Sequence, residues 1–484
     1  MSVKKYSMMA IKAGVGVVPK PLRNFAKKNP ALTSFYSRSL QKSGLFYGFP
    51  SKKKLLALYS QTLNLQQSAI STDIHRLETI TPKFSLAIIG EENGRVIRTL
   101  RSLSNQAENI DYVFTSVESN SQTKEFSDLN FKKVSGLGDV SIQQTNSPLL
   151  LLNAGDELHG QALAYLSKRT VEGLLYVDTD QKLSGSLCEN ARLLPDWNPD
   201  YQLSNAYIRS GVLLSAKLRE SLEQTSAKTI AGLVTQLWLR DRELTVEHVP
   251  LSLVHHKENK QAKLTELQEI AGLIESEKAS ANTVEGEQIN IVQWPVTNQP
   301  LVSLIIPTKN ARQLVKECID SILNKSTYQN YEILLVDNNS DEPESLAYFE
   351  ELSQHEKIRV LKYPHPFNYS AINNFAAQQA KGEVIGLINN DIEVITPDWL
   401  EYMVGHALRV DIGCVGAKLM YGDDRIQHAG VVLGYGGGAG HAHKYFPRYH
   451  PGYMNRLIAS HNYSAVTAAC LLVKKSLFEA VGGL

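Results

Sequence analysis

Cysteine is scarce in this chain: only four of its 484 residues are cysteines. No two of them are close together, which excludes a dense disulfide framework and any Cys-x-x-Cys metal or redox motif. We therefore expect reduced, mostly buried thiols in a cytoplasmic protein. The four residues are Cys188, Cys318, Cys414 and Cys470.

Long apolar runs are absent as well. No stretch approaches the roughly 18–20 consecutive apolar residues that a membrane-spanning helix needs. The segment from Met8 to Pro19 follows two lysines, but Lys12 interrupts it and makes it a poor signal peptide. The sequence thus predicts no spanning helix.

Acidic residues are missing from residues 1–72, which contain twelve Lys or Arg and no Asp or Glu. The chain has 50 basic and 49 acidic residues, so the remainder carries 38 basic against 49 acidic, a formal charge of −11. A basic arm of this kind is either a solvated tail or a peripheral contact with the anionic inner face of a membrane. The net charge of +1 gives no reason to expect nucleic acid as a partner.

The chain does contain apolar runs that end abruptly in polar, oxygen-bearing residues. They extend from Val302 to Asn310, from Tyr331 to Ser340 and from Gly386 to Asp391. Such runs, separated by helical patterns, are typical of buried parallel strands with a ligand site at their carboxyl ends. Carboxylates and small polar groups at these ends predict a pocket for a nucleotide and a metal ion.

Three apolar runs in the first half, at residues 84–89, 110–114 and 147–152, have the same order and similar spacing as those of the second half. This internal repeat predicts two similar α/β domains, at residues 82–257 and 300–484.

The remaining segments are predicted to be less regular. Residues 1–81 are expected to form the basic arm and a helical lead-in. Residues 258–299 are polar but contain one stretch with helical spacing, which predicts a linker with one helix.

The runs that lead into Thr308, Asp337 and Asp391 together resemble a family-2 glycosyltransferase of the GT-A fold, over about residues 301–484. The repeat resembles the double-domain transferases of bacterial surface-polysaccharide and O-antigen synthesis. The resemblance implies two tandem Rossmann-like, nucleotide-diphospho-sugar transferase domains, the second of them truncated at its C-terminus.

In the resembled family the first strand is followed by a turn against the nucleotide, which corresponds here to Pro307, Thr308 and Asn310. The acidic residue after the next strand, here Asp337, accepts a hydrogen bond from the base. An ionised acceptor at a strand end suits a base N–H, although Asp337 could equally close an Asx turn. Thr308 or Asn310 is also expected to cap the helix that follows.

The turn Asn389-Asn390-Asp391 is the expected centre of the site. The donor diphosphate carries negative charge that Mg²⁺ or Mn²⁺ neutralises, and few protein carboxylates hold such an ion. The family motif is Asp-x-Asp, so the resemblance makes Asp391 the metal ligand. Asn389 occupies the first position, where its amide can reach a ribose, a phosphate or water, and metal affinity is expected to be weaker.

Glycines and histidines cluster between Gly434 and His443. The glycine spacing nominally fits a dinucleotide-binding fingerprint, which we reject because no βαβ unit surrounds it. A mobile loop over the acceptor or the donor fits better. His441 and His443 are expected either to form hydrogen bonds within this loop or to bind a metal ion.

The first domain departs from the family pattern. Gly155 stands in the place of Asp391, Asp156 is one position late, and Glu118 takes the place of the base-binding Asp. We predict a degenerate transferase fold that serves as a scaffold or positions the acceptor glycan. An active site shifted to Asp156 and Asp178 stays open as an alternative.

The segment Gly482-Gly483-Leu484 resembles the one that precedes the acidic catalytic motif, so the general base is expected beyond Leu484. The sequence predicts an inverting, metal-dependent glycosyltransferase for hexosyl or deoxyhexosyl transfer. It would move a sugar from a nucleoside-diphosphate sugar to a growing surface polysaccharide or lipid-linked glycan. The alternative is a non-catalytic sugar-nucleotide or glycan-binding subunit that supports an active partner.

Overall fold

The structure describes Pro19 and then the chain from residue 52 onward, where a long helix begins. The other residues of the predicted arm up to residue 51 lie outside the described residues. The later part of the predicted lead-in is helical. None of the described helices has both the length and the apolar character needed to cross a bilayer. The computed structural model describes residues 52–81, 83–117, 126–140, 146–184, 187–434 and 437–484, together with Pro19.

Helices and strands alternate along most of the described residues. The helices, short 3-10 turns aside, are α1 (Lys52–Arg76), α2 (Asn93–Leu103), α3 (Ala162–Leu166), α4 (Pro199–Asn205), α5 (Ala216–Glu220), α6 (Ile230–Arg240), α7 (Lys260–Ile274), α8 (Arg312–Lys325), α9 (Pro343–Leu352), α10 (Tyr369–Gln379), α11 (Trp399–Ala407) and α12 (Lys475–Ala480). The strands of the first half are β1 (Phe84–Ile89), β2 (Ile110–Thr115), β3 (Phe131–Lys133), β4 (Leu149–Asn153), β5 (Glu157–Leu158), β6 (Leu174–Ser184), β7 (Leu187–Arg192), β8 (Val212–Leu214) and β9 (Val246–His255). The later strands are β10 (Ser280–Val284), β11 (Ile289–Gln293), β12 (Val302–Thr308), β13 (Tyr331–Asp337), β14 (Ile358–Lys362), β15 (Val384–Ile388), β16 (Cys414–Gly416), β17 (Leu419–Met420), β18 (Ile426–His428), β19 (Val431–Leu433), β20 (Ala439–His441) and β21 (Cys470–Lys474).

The first half forms a mixed sheet with the order β3-β2-β1-β4-β8-β6-β9-β5, in which β7 also pairs with β6. β1 is parallel to β2 and β4, whereas β8 is antiparallel to β4 and β6. Alternate residues of β1 enter different hydrophobic clusters: Leu86 and Ile88 lie in one, and Ala87 lies in the other. Both faces of this strand are therefore covered, which explains its continuous apolar run.

The second half forms a sheet with the order β14-β13-β12-β15-β21-β16. β12 is parallel to β13 and β15, whereas β21 is antiparallel to β15 and β16. The apolar runs predicted from the sequence are thus confirmed as β12, β13 and β15. Their carboxyl ends lie at one edge of the sheet, as parallel pairing requires.

The two sheets share one pattern of pairing. The order β3-β2-β1-β4-β8-β6 corresponds, strand by strand, to β14-β13-β12-β15-β21-β16. Each neighbouring pair also has the same direction in the two sheets, parallel for the first three pairs and antiparallel for the last two.

Helices cover both faces of the second sheet. Leu304 packs in the same buried cluster as Val315 and Ile319 of α8. The next residue of β12, Ile305, packs with Ile372 of α10 on the opposite face. This alternation follows from the two-residue period of a strand, and it fixes which residues can reach the strand ends.

The segment predicted as a linker contains α7, as expected, and also a β10–β11 hairpin that the sequence did not predict. The helix buries Leu267 and Ile270 in a cluster with Trp294. Asn290 of the hairpin is buried and donates hydrogen bonds to the carbonyl oxygens of Leu203, at 3.2 Å, and Leu267, at 2.9 Å. The polar composition of this segment thus concealed a packed element.

The two halves of the chain contact each other through polar groups. Asp200 at the start of α4 is bonded to Arg409, which follows α11. Burial by itself raises the pKa of Asp200, but the charges of Arg409 and His406 and the hydrogen bonds to Arg409 and Asn462 outweigh it and hold the pKa below its ordinary value. The Asp200 carboxylate is therefore ionised within the contact at neutral pH.

The four cysteines carry free thiols in the structure. Cys318 and Cys470 are buried, which raises the pKa of each thiol to about 12. Cys188 is half-buried and Cys414 is exposed, so the expectation of mostly buried thiols is only partly met.

Candidate functional site

The ends of β12 and β13 lie side by side. Thr308 is the register partner of Asp337, and the Asn338 amide donates to the Thr308 carbonyl oxygen at 2.8 Å. Oδ1 of the buried Asp337 accepts a hydrogen bond from the Ser340 amide at 3.0 Å, so its side chain closes the turn through the third residue on, where an Asx turn uses the second. The second carboxylate oxygen has no hydrogen-bond partner among the described residues, and a base-binding role stays a prediction.

Asn310 does not cap α8, and neither does Thr308, which corrects the sequence prediction. The residue before α8 is Ala311, which has a φ of 57° and makes no side-chain cap. The Asn310 side chain instead accepts from the amides of Asp341, at 2.9 Å, and Glu342, at 3.1 Å. Asn310 was misassigned because Asn310 and Ala311 both have left-handed backbone angles. This pair turns the chain away from α8 before the helix starts.

Pro307 lies inside β12 rather than at its end. The strand continues to Thr308, and Pro307 is the register partner of Val336. Proline has no N–H to donate, yet the pairing with β13 continues through the next residue, because Thr308 is the register partner of Asp337.

The Asn389-Asn390-Asp391 turn is fixed at two points. The Asn389 amide donates to the carbonyl oxygen of Ala469 at 2.9 Å. The Asn390 side chain donates to Thr308 Oγ1 at 3.0 Å and joins the ends of β12 and β15. The sequence had given Asn390 no role, because only the fold brings these two strand ends together.

Asp391 is exposed and makes no hydrogen bond or ion pair within the described part of the chain. A carboxylate fixed in a turn, with amide and hydroxyl oxygens nearby, is a donor set that suits a hard divalent cation. The residues present therefore fit Mg²⁺ or Mn²⁺ at this position.

His441 contacts a histidine that the sequence had not singled out. Its Nδ1 lies 2.9 Å from Nδ1 of His428, which is buried. His428 Nε2 accepts from the amides of Gly430, at 3.3 Å, and Thr467, at 3.4 Å. Burial, and then the neighbouring His441, lower the pKa of His428 to about 4.

The tautomer of this pair follows from its partners. A nitrogen that accepts from backbone amides carries no proton, so neutral His428 holds its proton on Nδ1 and donates it to His441. His441 must then keep its own proton on Nε2. The sequence feature that could have drawn attention to His428 is the His-Ala-Gly segment from His428 to Gly430, which precedes the glycine cluster.

The glycine-rich segment is not a structureless loop. It contains the β19–β20 hairpin, although Tyr435 and Gly436 lie outside the described residues. His443 has a φ of 55°, and its buried Nδ1 has no hydrogen-bond partner in the described structure. Neither predicted histidine belongs to a group of three converging His, Cys, Asp or Glu ligands in this part of the chain.

The segment from Thr467 to Ala469 connects the histidine pair to the Asp391 turn. Thr467 donates to His428, and two residues later Ala469 accepts from Asn389. Two residues of extended chain span about 7 Å. The histidine pair and the candidate metal ligand are therefore neighbours at the same end of the second sheet.

A cavity of about 600 Å³ opens beside this region, where the two halves of the chain meet. None of the six residues predicted to bind the nucleotide lines it. Its wall is formed by Asp200, by Tyr402 and His406 of α11, and by residues 411–418, 428–430 and 456–466.

In the first sheet, the carboxylates near the corresponding strand end are occupied by other side chains and amides. Asp156 accepts from the Asn153 amide at 2.7 Å and lies 2.7 Å from His256 Nδ1. Asp178 accepts from the Leu194 amide at 2.7 Å and lies 3.0 Å from His248 Nε2. Glu118 lies outside the described residues. The shifted site at Asp156 and Asp178 thus has both carboxylates buried and bonded.

Comparison with known proteins identifies relatives of both halves. A family model described as Glycosyl transferase family 2 matches residues 303–482. The chain is 39% identical over 331 residues to the uncharacterized protein y4gI of Sinorhizobium fredii, with 64% of this chain and 36% of that protein covered. It is 33% identical over 371 residues to the O-antigen biosynthesis protein RfbC of Myxococcus xanthus, with 72% and 28% covered.

The chain spans about a third of the length of these two relatives. Both matches cover more of the chain than the residues from 303 onward can supply, so they extend into the first half. Among solved structures, a mannosyltransferase from Pyrobaculum calidifontis in complex with GDP-Man and Mn²⁺ is 18% identical, with a TM-score of 0.29 over 39% of this chain and 50% of that one.

Proposed function

Because residues 303–482 belong to glycosyl transferase family 2, we propose that this chain transfers a sugar from a nucleoside-diphosphate-sugar donor, with inversion at the anomeric carbon. The acceptor is a growing surface polysaccharide or a lipid-linked glycan. The observation that carries the proposal is the exposed Asp391, which has no partner in the described part of the chain and lies at the edge where β12, β13 and β15 end.

The first half is proposed to be a second GT-A-like domain without catalytic activity. Its sheet repeats the strand order and directions of the second sheet. The carboxylates near its strand ends are engaged by internal partners, as described for Asp156 and Asp178. Residues 82–257 and 300–484 would then be tandem domains, of which the second transfers the sugar.

The donor would lie across the ends of β12 and β13. Asp337 has one free carboxylate oxygen for a base N–H, and Thr308 and Asn310 form the adjacent turn. Pro307 contributes to the shape of this turn. Asn389 faces the same edge and is available to the ribose or the phosphates.

Asp391 would hold a divalent cation, which when bound neutralises the diphosphate that leaves with the nucleotide. Asn390 keeps the turn against Thr308, so the carboxylate is oriented before the ligand arrives. His441 would present its Nε2–H at the same end of the sheet, as a neutral hydrogen-bond donor. The general base is not assigned to any residue of this chain.

The site can be tested by nucleotide binding. The full chain is titrated with UDP, GDP and dTDP, with and without Mn²⁺, by isothermal titration calorimetry. One of these nucleotides should bind, Mn²⁺ should strengthen its binding, and Asp391→Asn should abolish the Mn²⁺ effect. Asp398→Asn is the control, because Asp398 is also exposed, follows in the same segment and caps no amide with its side chain.

Equal nucleotide affinity in wild type and Asp391→Asn at every Mn²⁺ concentration would refute the proposed site. Metal-dependent binding without any release of sugar from the matching nucleotide sugar would favour the alternative, a non-catalytic binding subunit.

The basic residues 1–72 are proposed to contact the inner membrane face from the cytoplasm. Sedimentation with anionic and with neutral vesicles tests this, since only the anionic vesicles should retain the chain.

A further inference from the structure

The cavity described above is formed by the second half of the chain and by Asp200 of the first half, and its charge distribution is not explained by its structural contacts. Its acidic wall residues are already satisfied, because Asp200 and Asp411 both bond to Arg409. Asp411 Oδ1 lies 3.0 Å from Arg409 Nε. These carboxylates are therefore not available to neutralise other cations in the cavity.

Two cations of the wall have no acidic partner within 4 Å in the described part of the chain. Lys418 donates only to carbonyl oxygens, of which that of Leu457 lies at 2.6 Å. Arg456 makes no ion pair, and its Nε is buried without a hydrogen-bond partner. A buried guanidinium N–H without an acceptor is destabilising, so this group lowers the stability of the folded chain unless a ligand supplies the acceptor.

The surroundings of Arg456 are basic rather than acidic. Burial, and then the charge of Arg448, together lower the pKa of Lys418 to about 8, although the charge of Glu287 acts in the opposite direction. Burial also lowers the pKa of His443, and Arg456 and Lys418 add to this effect. Like charges are thus held together, an arrangement that a bound anion would relieve.

The same cavity offers a free acceptor. His461 Nδ1 lies 3.0 Å from the Ala459 carbonyl oxygen and must donate to it, because a carbonyl cannot donate. Its Nε2 is then an unprotonated acceptor, and it is buried without a hydrogen-bond partner among the residues that the structure describes. The Tyr463 ring packs against His461 with centroids 4.5 Å apart. A sugar hydroxyl can donate to such a nitrogen, and a sugar ring can pack on such an aromatic face.

We propose that this cavity binds an anionic, hydroxyl-bearing segment of the acceptor, with Arg456 holding its phosphate or carboxylate group and His461 accepting from a hydroxyl. The role as an acceptor site rests on the proposed transferase function. Because Asp200 and Asn462 join the two halves at this wall, the first half contributes to the site by fixing its shape.

Anion binding to the full chain tests this proposal. Calorimetric titrations with inorganic pyrophosphate, and separately with glucuronate, are made in EDTA, so that a metal ion at Asp391 takes no part. At least one of the two should bind, and Arg456→Gln should weaken its binding at least ten-fold, because a charge-assisted bidentate contact is lost. Lys316→Gln removes one positive charge from an exposed ion pair with Asp320 and should leave binding unchanged.

Binding of pyrophosphate alone identifies a phosphate-bearing acceptor, and binding of glucuronate alone identifies an acidic sugar. If neither binds, or if Arg456→Gln binds as the wild type does, the proposal is wrong. If Arg456→Gln does not fold, the wild-type chain is labelled with phenylglyoxal and the modified arginines are mapped by mass spectrometry. The bound anion must protect Arg456 from labelling, and equal labelling with and without the anion would show that the proposal is wrong. Failure of Mn²⁺-dependent nucleotide binding would refute the proposed function and leave these titrations unaffected.

Discussion

Asn198 and Asn462, which are 264 positions apart, exchange two hydrogen bonds: the Asn198 side chain donates to the Asn462 carbonyl oxygen, and the Asn462 amide donates to Asn198 Oδ1, both at 2.9 Å. The Asn462 side chain continues the contact, accepting from the Asp200 amide at 3.1 Å and donating to Asp200 Oδ2 at 2.7 Å. Asn462 of the second half thus forms hydrogen bonds with the first turn of α4 and holds it against the second half.

Asn462→Ala is expected to destabilise the chain by about 2–4 kcal/mol. It leaves the Asp200 amide and one carboxylate oxygen without partners in a buried place, and each loss costs about 1–3 kcal/mol. Urea denaturation followed by circular dichroism measures the change. Asn330→Ala is the matched control, because the exposed Asn330 side chain makes one bond, to the Gln299 carbonyl oxygen, and should cost well under half as much. Equal losses in the two variants would contradict the structure.

The stability of the chain should fall on acidification from about pH 6.5 to pH 4. Burial lowers the pKa of His461 to about 4, and burial together with His441 lowers that of His428 to about 4. Both groups are neutral in the folded chain, whereas in the unfolded chain they titrate near 6.5. Their contribution is therefore complete above pH 6.5 and is lost as the pH falls toward 4, to the extent of roughly 3 kcal/mol for His461.

Unfolding free energies measured between pH 7.5 and 4 test this. His461→Gln should be less stable than wild type at pH 7.5 and should show a shallower decline. A parallel decline in the variant would show that other groups cause the acid sensitivity.

Gly430→Ala is expected to destabilise the chain by more than about 2 kcal/mol. Gly430 has a φ of 100°, and a Cβ there would lie 1.9 Å from Cε2 of Tyr463, so both the backbone and the ring must move. Gly413→Ala is the control, since a Cβ at that cavity-wall position meets no atom within 4 Å. A shift of thermal midpoint no larger than the control's would be inconsistent with the packing described.

His441 should be neutral with its proton on Nε2 at pH 7. Burial, followed by the charge of Lys444, lowers the pKa of His441, and donation from His428 Nδ1–H further disfavours a proton on His441 Nδ1. Long-range nitrogen–proton correlation spectra of the imidazole rings distinguish the two tautomers. In His428→Phe the donor is removed, and the pKa of His441 should rise toward its ordinary value of about 6.5. Detection of the Nδ1–H tautomer of His441 in the wild type would refute this assignment.

The sequence predicts the second sheet well because buried parallel strands must be apolar, and because strand ends must carry whatever polar groups the site needs. Thr308, Asp337 and Asp391 are consequently found at one edge of the sheet. The role of Asn310 was mispredicted, since capping depends on two left-handed residues that no pattern in the sequence marks. The β10–β11 hairpin was missed because its buried Asn290 is satisfied by distant carbonyl groups.

The contact between the halves and the cavity beside it could not be predicted. Each depends on pairs separated by more than 200 positions, such as Asp200 with Arg409 and Asn198 with Asn462. His428 was overlooked for a similar reason: its importance lies in the backbone amides of Gly430 and Thr467, and the second of these joins it only in the fold.

The two hydrogen bonds that fix the Asn389-Asn390-Asp391 turn have a kinetic consequence. A ligand-binding loop that must become ordered slows association and weakens affinity, because its conformational entropy is lost on binding. Here Ala469 and Thr308 already hold the turn, so the carboxylate of Asp391 can meet an incoming cation in its final orientation. The rate of metal capture should then be governed by diffusion and by shedding of water from the ion, and not by rearrangement of the protein.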